Sequence, residues 1–268
     1  MNLIDTSVEE LKEREQVAFR RFLTVVTEAP SATPVADGAW NAGQVAAHIL
    51  TVFRRYNHRD LTSPAGLSEN MADLDAQNQA ELDAVSGLTH AEVVDELTSE
   101  QKLLEDLELD PATTYPFHFG QTIDVFGGWG NAIGELLVHG HDVARATGRR
   151  WPIAPRDALL VMNANFQVAA GAVSPEAAQD MSATFEFRVR GGRPQTLAIE
   201  RGDVAMLPSS LVPGRPDVVL AGPPVPFLLN LYGRLSTPGA ALRGVGIRGG
   251  RRPWLGLRLA RVFETPIG

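Results

Sequence analysis

Apolar residues over roughly the first 170 positions recur with the 3.6-residue period of helices, and beyond about position 180 they alternate with a period of two. The change of period predicts a helical N-terminal part followed by a part that contains a sheet. Ser7-Val8-Glu9-Glu10 has the form of a capping box, and Leu11, Phe19, Phe22, Leu23 and Val26 then mark one helix that Pro30 ends. A turn-rich stretch from Ser31 to Gly38 leads to Trp40, with Asn41 and Gln44 placed to cap a second helix. In that helix Val45, His48, Ile49, Val52 and Tyr56 share one face, so His48 lies on the apolar stripe.

A third long segment enters over Asn70 to Asp83 and again at the capping box Thr89-His90-Ala91-Glu92. It carries Val93, Val94, Leu97, Leu104 and Leu107 and is closed by Pro111. Tyr115 to Gly128 reads as turn-prone, and Trp129 to Thr147 as a helix with Gly148 just past its end and Arg145, Arg149 and Arg150 near its negative pole. Four helical segments joined by loops predict a bundle.

Trp151-Pro152-Ile153-Ala154-Pro155 breaks the pattern before a connecting helix from Arg156 to about Ala170. A domain boundary is expected between about 150 and 180 and is placed at 165/166. Ala183 to Arg190 alternates, Gly191-Gly192 can turn, and Thr196 to Glu200 alternates again, as a hairpin does. Asp217 to Ala221 and Val245 to Arg248 read as strands, Val225 to Arg234 as a short helix and Trp254 to Phe263 as a terminal helix. The class is α+β: a four-helix bundle over 1–165, then a smaller α/β sandwich domain over 166–268.

Composition narrows the chemistry. A chain of 268 residues that is 44% hydrophobic buries a core without staples, and it contains no cysteine. Disulfides, Cys-ligated zinc, iron–sulfur clusters and a protein-borne thiol nucleophile are excluded together, so any sulfur chemistry needs a borrowed thiol. No apolar run approaches the ~20 residues that span a bilayer, and the first residues lack a secretory pattern, so the expectation is a cytoplasmic protein without a membrane partner.

Charge divides the chain. Residues 1–150 hold 11 basic and 24 acidic residues, net −13, and residues 151–268 hold 13 and 8, net +5. The 13 are all arginines, interrupted by Gly and Pro rather than clustered, which argues against nucleic acid and for an anionic small molecule facing the C-terminal half. A monomer or weak homodimer is expected.

Among the six histidines, His139 follows Glu135 at i+4, so a carboxylate and an imidazole share a helix face. His48 on its own apolar face could supply a third donor across a bundle, and two His with one Glu form a common open zinc set. Taken singly, the Glu-His pair is more often an exposed ion pair and His48 more often a hydrogen-bonded core residue. Burying all three without a cation, however, would cost several kcal/mol of desolvation.

The segments Trp40 with Val45-Ala46-Ala47-His48-Ile49, and Gly134-Glu135-Leu136-Leu137-Val138-His139-Gly140-His141-Asp142-Val143-Ala144-Arg145-Ala146-Thr147-Gly148, resemble the DinB-like metal-binding domain of the mycothiol-dependent maleylpyruvate isomerase family over about residues 7–165. Asp217 to Pro223 and Phe227 to Arg234 resemble that family's companion domain, which is related in shape to sterol-carrier domains. The resemblance implies zinc, or another divalent metal, on His48, Glu135 and His139. It further implies mycothiol as thiol cosubstrate, a small electrophilic or unsaturated acid as substrate, and Arg234 as the catalytic residue that recognises its carboxylate.

Isomerisation and mycothiol S-transfer draw on the same activated thiolate and are not separated by the sequence. A non-catalytic reading, an apolar-ligand-binding protein with a structural metal, stands as the alternative of another class. His141 points about 200° from His139 and is not expected to be a ligand. Asp142 is expected to pair locally with Arg145, and Trp40 and Trp129 to pack. Gly249-Gly250-Arg251-Arg252-Pro253 lacks the ending of a phosphate loop, and no Gly-x-Ser-x-Gly elbow occurs.

Overall fold

In a computed structural model that describes residues 3–35 and 40–263, the first helix, α1 (Val8–Glu28), starts where Ser7 Oγ accepts from the Glu10 amide at 3.2 Å. Only half of the capping box forms, because the Glu10 carboxylate is taken by Arg156 and Thr6 instead. Positions 36–38 of the expected turn-rich stretch lie outside the described residues. On either side of them, β1 (Pro34–Val35) pairs with β2 (Trp40–Asn41) and leads into α2 (Ala42–His58), where Asn41 and Gln44 form a complete capping box.

The third segment resolves into two helices, α3 (Met71–Ala84) and α4 (His90–Glu105). The chain turns over Val85 to Thr89, and Thr89 with Glu92 caps the second of them. Next comes a hairpin of β3 (Thr114–Pro116) and β4 (Thr122–Asp124). The fourth expected helical segment, α5 (Val125–Ala146), starts four residues earlier than its periodicity suggests. Gly127 and Gly128 weaken the helical pattern there, but the Asp124 carboxylate accepts the Gly127 amide at 2.7 Å and caps the end. At its other end Gly148, with φ of 68°, and the Arg149 amide, which donates to Ala144 O at 2.7 Å, close a Schellman turn. Helices α1, α2, α4 and α5 pack about one core containing Phe22, Phe53, Leu97 and Ile133.

Helix α6 (Pro155–Val168) is buried on nearly every side from Asp157 to Ala164, as expected of an element packed between layers. It lies against α5 on one side and α8 (Pro224–Leu231) on the other, so residue 165 falls within a helix shared by both parts of the chain. The approach of α5 to α6 depends on glycine. A Cβ on Gly130 would stand 2.6 Å from Leu160 O, and one on Gly134 2.9 Å from a methyl of Val161. Gly130→Ala gains about 1 kcal/mol of helix propensity but forces backbone apart at a cost of about 1–3 kcal/mol or more. A lowered midpoint of urea unfolding is the expected net result.

After the short α7 (Pro175–Gln179) the chain forms β5 (Ser182–Val189), β6 (Gln195–Glu200), β7 (Asp203–Pro208) and β8 (Val218–Gly222), then α8, α9 (Thr237–Leu242) and β9 (Gly246–Gly249). The sheet order is β7-β6-β5-β8-β9, with β5 and β8 parallel and the other pairs antiparallel. The mixed helix and sheet content is α+β. Strand β7 and helix α9 carry no strong periodicity and were not expected. The first depends on the tight turn at Arg201-Gly202, both at positive φ, and the second on the Ser236 cap before Pro238. The expected terminal helix takes the 3₁₀ form, over Pro253–Arg261, with Trp254 and Leu257 exposed. Phe166 of α6, Phe187 of β5 and Phe227 of α8 meet in series, the first pair tilted and the second edge-to-face, and join the sheet to the helices. No helix among the described residues is long and apolar enough to cross a membrane.

Candidate metal centre

Helices α2 and α5 run antiparallel, and the periodicity that turned His48 inward brings it against Glu135 and His139. His48 Nε2 is 3.5 Å and His139 Nε2 3.4 Å from the same oxygen, Glu135 Oε2, and one donor atom from each of the three residues lies within 4.8 Å of the others. Those separations are too long for strong hydrogen bonds. The two imidazole–carboxylate distances match the edges, about 3.4 Å, of a tetrahedron of donors set roughly 2.1 Å from a central zinc. The donor chemistry, two imidazoles and one carboxylate, also suits that ion.

Charge states fit as well. Burial pushes the His48 pKa down, against the raising effect of Glu135, so the ring is neutral and has a lone pair to give. Burial alone would raise Glu135, but the His139 and His48 rings facing it outweigh burial and hold the carboxyl far below its usual range. Glu135 keeps 26% and His139 16% of its side-chain exposure, against 5% for His48, so the cluster is deep on the α2 side and reachable on the other.

Trp40 covers the centre, its ring centroid 4.8 Å from that of His48 and 5.9 Å from that of His139. It sits on β2, one residue before the Asn41 cap, so the cap that starts α2 also seats the indole. Trp129, in contrast, packs in the core.

Behind His139, Asp142 Oδ2 is 3.9 Å from Nδ1. Asp142 does not pair with Arg145, one turn along its own helix. Its partner is Arg234, which comes from beyond α8: Nη2 donates to Oδ2 at 2.7 Å, and Nε donates to both carboxylate oxygens at 3.1 and 3.2 Å. Gly233, at φ of 72°, ends α8 and turns the chain so that Arg234 reaches across. Burial would raise the Asp142 carboxyl, but His141 and Arg234 lower it on balance. The remaining Arg234 nitrogen, Nη1, donates to Tyr232 O at 2.7 Å. His141 is not part of the cluster. With Arg145, Arg234 and Arg243 it lines an open cleft of about 780 Å³ whose walls carry no carboxylate.

Comparison with solved structures places the fold. The described architecture superposes on a crystal structure of mycothiol-dependent maleylpyruvate isomerase with a TM-score of 0.53 at 13% identity, covering 92% of this chain and 95% of that one. The chain shares that enzyme's fold. A point mutant of the isomerase superposes with a TM-score of 0.52 at 12% identity over the same shares. No family model matches the sequence, and no curated protein matches it.

Two features of the site were not read from the sequence. The Asp142–Arg234 pair joins residues 92 apart and has no local signal. The second is a polar network further along α2, formed by Arg55 with Glu81, Asn78 and His118. Arg55 stands at i+7 from His48, so the spacing could have pointed to it. His118 lies in the turn-prone stretch, where no periodicity marks it.

Proposed function

We propose that this chain is a zinc-dependent isomerase or transferase that uses a small thiol, mycothiol or a close equivalent, and acts on a small electrophilic or unsaturated acid. The observation that carries this reading is the convergence of His48, Glu135 and His139, with both imidazoles at tetrahedral-edge distance from one Glu135 oxygen and with Glu135 and His139 still partly exposed. The fold shared with a mycothiol-dependent enzyme supports it, as does the absence of cysteine from the whole chain, since the sulfur nucleophile is then brought by a cosubstrate.

A divalent cation held by these three residues would supply Lewis acidity at its remaining position, lowering the pKa of a thiol so that it serves as a thiolate nucleophile at neutral pH. The chain's own residues prepare that position. His48 is neutral by burial and Glu135 ionised, which is the protonation pattern donors need. Trp40 screens the centre from water on one side. Asp142, fixed by Arg234, faces His139 Nδ1 and orients that ring. Tyr56 keeps its proton, because burial and the nearby Glu135 charge raise its pKa. Its oxygen accepts from Asn131 Nδ2 at 2.5 Å, which leaves the O–H proton available as a donor. In this arrangement Arg234 is a positioning residue, and for it to bind a substrate carboxylate Asp142 would have to release it.

Zinc-loaded protein assayed with maleylpyruvate, and separately with a generic electrophile, with and without thiol, tests the reading. Thiol-dependent isomerisation supports the isomerase, and thiol-dependent conjugation alone supports the S-transferase. Turnover of neither substrate with thiol overturns the proposal in favour of a binding protein with a structural metal.

A further inference from the structure

Arg55 and His118 present an imbalance of hydrogen-bond donors that points to a ligand. His118 is 5% exposed, and its Nδ1 accepts the backbone amide of Ser68 at 3.0 Å. A neutral imidazole carries one proton, so with Nδ1 committed as acceptor the proton is on Nε2. Burial, followed by the charges of Arg55 and Arg59, pushes the His118 pKa down to about 4, which keeps the ring in that neutral form. Its Nε2–H then faces Arg55 Nη1 at 3.3 Å. A guanidinium nitrogen cannot accept. Two donors therefore face each other, and neither can satisfy its partner.

The surroundings hold both groups in place. Arg55 directs Nε and Nη2 onto Glu81 at 3.2 and 2.6 Å, and Nη2 also donates to Asn78 Oδ1 at 3.0 Å, so Nη1 is the edge left over. His118 is clamped by Ser68 from both sides, since the Phe119 amide donates to Ser68 O at 2.7 Å. This clamp sets Phe119 at a φ of 63°, a conformation that costs a non-glycine residue about 1 kcal/mol or more. Just past the end of α2, Arg59 Nη1 is buried with no hydrogen-bond partner among the described residues. The position relative to the metal centre follows from helix geometry: Arg55 is two turns from His48, roughly 10 Å along the axis. The charge of Arg55 acts on His48, and that of Glu135 acts on His118.

We infer that Arg55 and His118 form a carboxylate-binding subsite in which Arg55 Nη1–H and His118 Nε2–H both donate to one carboxylate oxygen of a small acid. The oxygen supplies the acceptor that both donors lack, and Arg59 adds positive field from just past the end of α2. Glu81 holds Arg55 as a rigid fork, so little side-chain freedom is lost when the anion arrives. That the acid is the enzyme's substrate rests on the function proposed above. The donor pair itself does not.

The full-length, zinc-loaded protein with ¹⁵N-labelled histidine, titrated with maleate, tests the subsite. Before maleate, the His118 Nδ1 resonance is expected in the unprotonated range and Nε2 in the protonated range. Maleate is then expected to shift the Nε2–H signal saturably, and Arg55→Gln to weaken that binding about tenfold or more with zinc content unchanged. A His118 ring protonated on Nδ1, no response of His118 to maleate, or equal affinity in Arg55→Gln overturns the inference. If Arg55→Gln fails to fold, the tautomer and maleate response of the wild type decide alone. Thiol-dependent turnover measured on the same sample separates the two readings. Maleate binding at His118 without turnover removes the enzymatic proposal and keeps the subsite, and turnover without a His118 response does the reverse.

Discussion

Protein purified without chelator is expected to carry about one equivalent of zinc, and His139→Ala or Glu135→Gln to lose most of it. The expectation follows from the geometry at Glu135 Oε2, where two imidazole nitrogens approach a single oxygen at 3.4 and 3.5 Å. Removing one donor leaves two, and a two-donor site binds zinc orders of magnitude more weakly. Altering merely an outer partner of a ligand already costs about 10- to 100-fold in affinity. Under the function proposed above, thiol-dependent turnover should fall in parallel, by about a thousandfold or more, because thiolate formation would depend on the cation. Elemental analysis, circular dichroism and turnover on the same preparations check this. Folded variants that keep a full equivalent of zinc would show that the three side chains do not hold it.

The second large effect concerns stability and lies away from the metal. Glu15 of α1 is fully buried. One of its oxygens accepts from Gln101 at 3.2 Å, and the other has no partner among the described residues. Burial, with the Glu105 charge adding to it, raises its pKa to about 7, from an ordinary value of 4.5. Below pH 4.5 the carboxyl is protonated in both the folded and unfolded chain and costs nothing. Between 4.5 and 7 the folded form binds a proton that the unfolded form has lost, so stability declines as pH rises, and above 7 the full penalty of a buried unpaired charge is present. The span corresponds to about 3 kcal/mol. Glu15→Gln keeps an acceptor for Gln101 without the charge and should stabilise the protein by up to that amount at pH 8 and by almost nothing near pH 4. Urea unfolding at both pH values checks it, and a gain that does not depend on pH would contradict the linkage.

How legible the molecule was depends on how local each feature is. The caps at Asn41 and Thr89, the Schellman turn at Gly148 and the β5–β6 hairpin are written in neighbouring residues, and the structure reproduces them. The early start of α5 was missed because a distance of three residues, from Asp124 to Gly127, outweighed two glycines. Strand β7 was missed because an edge strand is set by its partner β6 more than by its own alternation. The 3₁₀ form of the last element was equally hidden, since apolar spacing does not separate it from an α-helix.

The amino-acid sequence by itself determined that no protein thiol exists, that helices precede a sheet, and that His48 turns inward while Glu135 and His139 share a face. These follow from composition and from periods of 3.6 and 2, which need no knowledge of what lies across the chain. The tertiary structure alone decided that the three donors meet, that Asp142 takes Arg234 instead of its neighbour Arg145, and that Arg55 meets His118. The physical reason is that a helix period sets the direction of a side chain about one axis only. Which axis lies opposite, and how closely, depends on packing such as the Gly130 contact between α5 and α6, which a one-dimensional pattern does not carry.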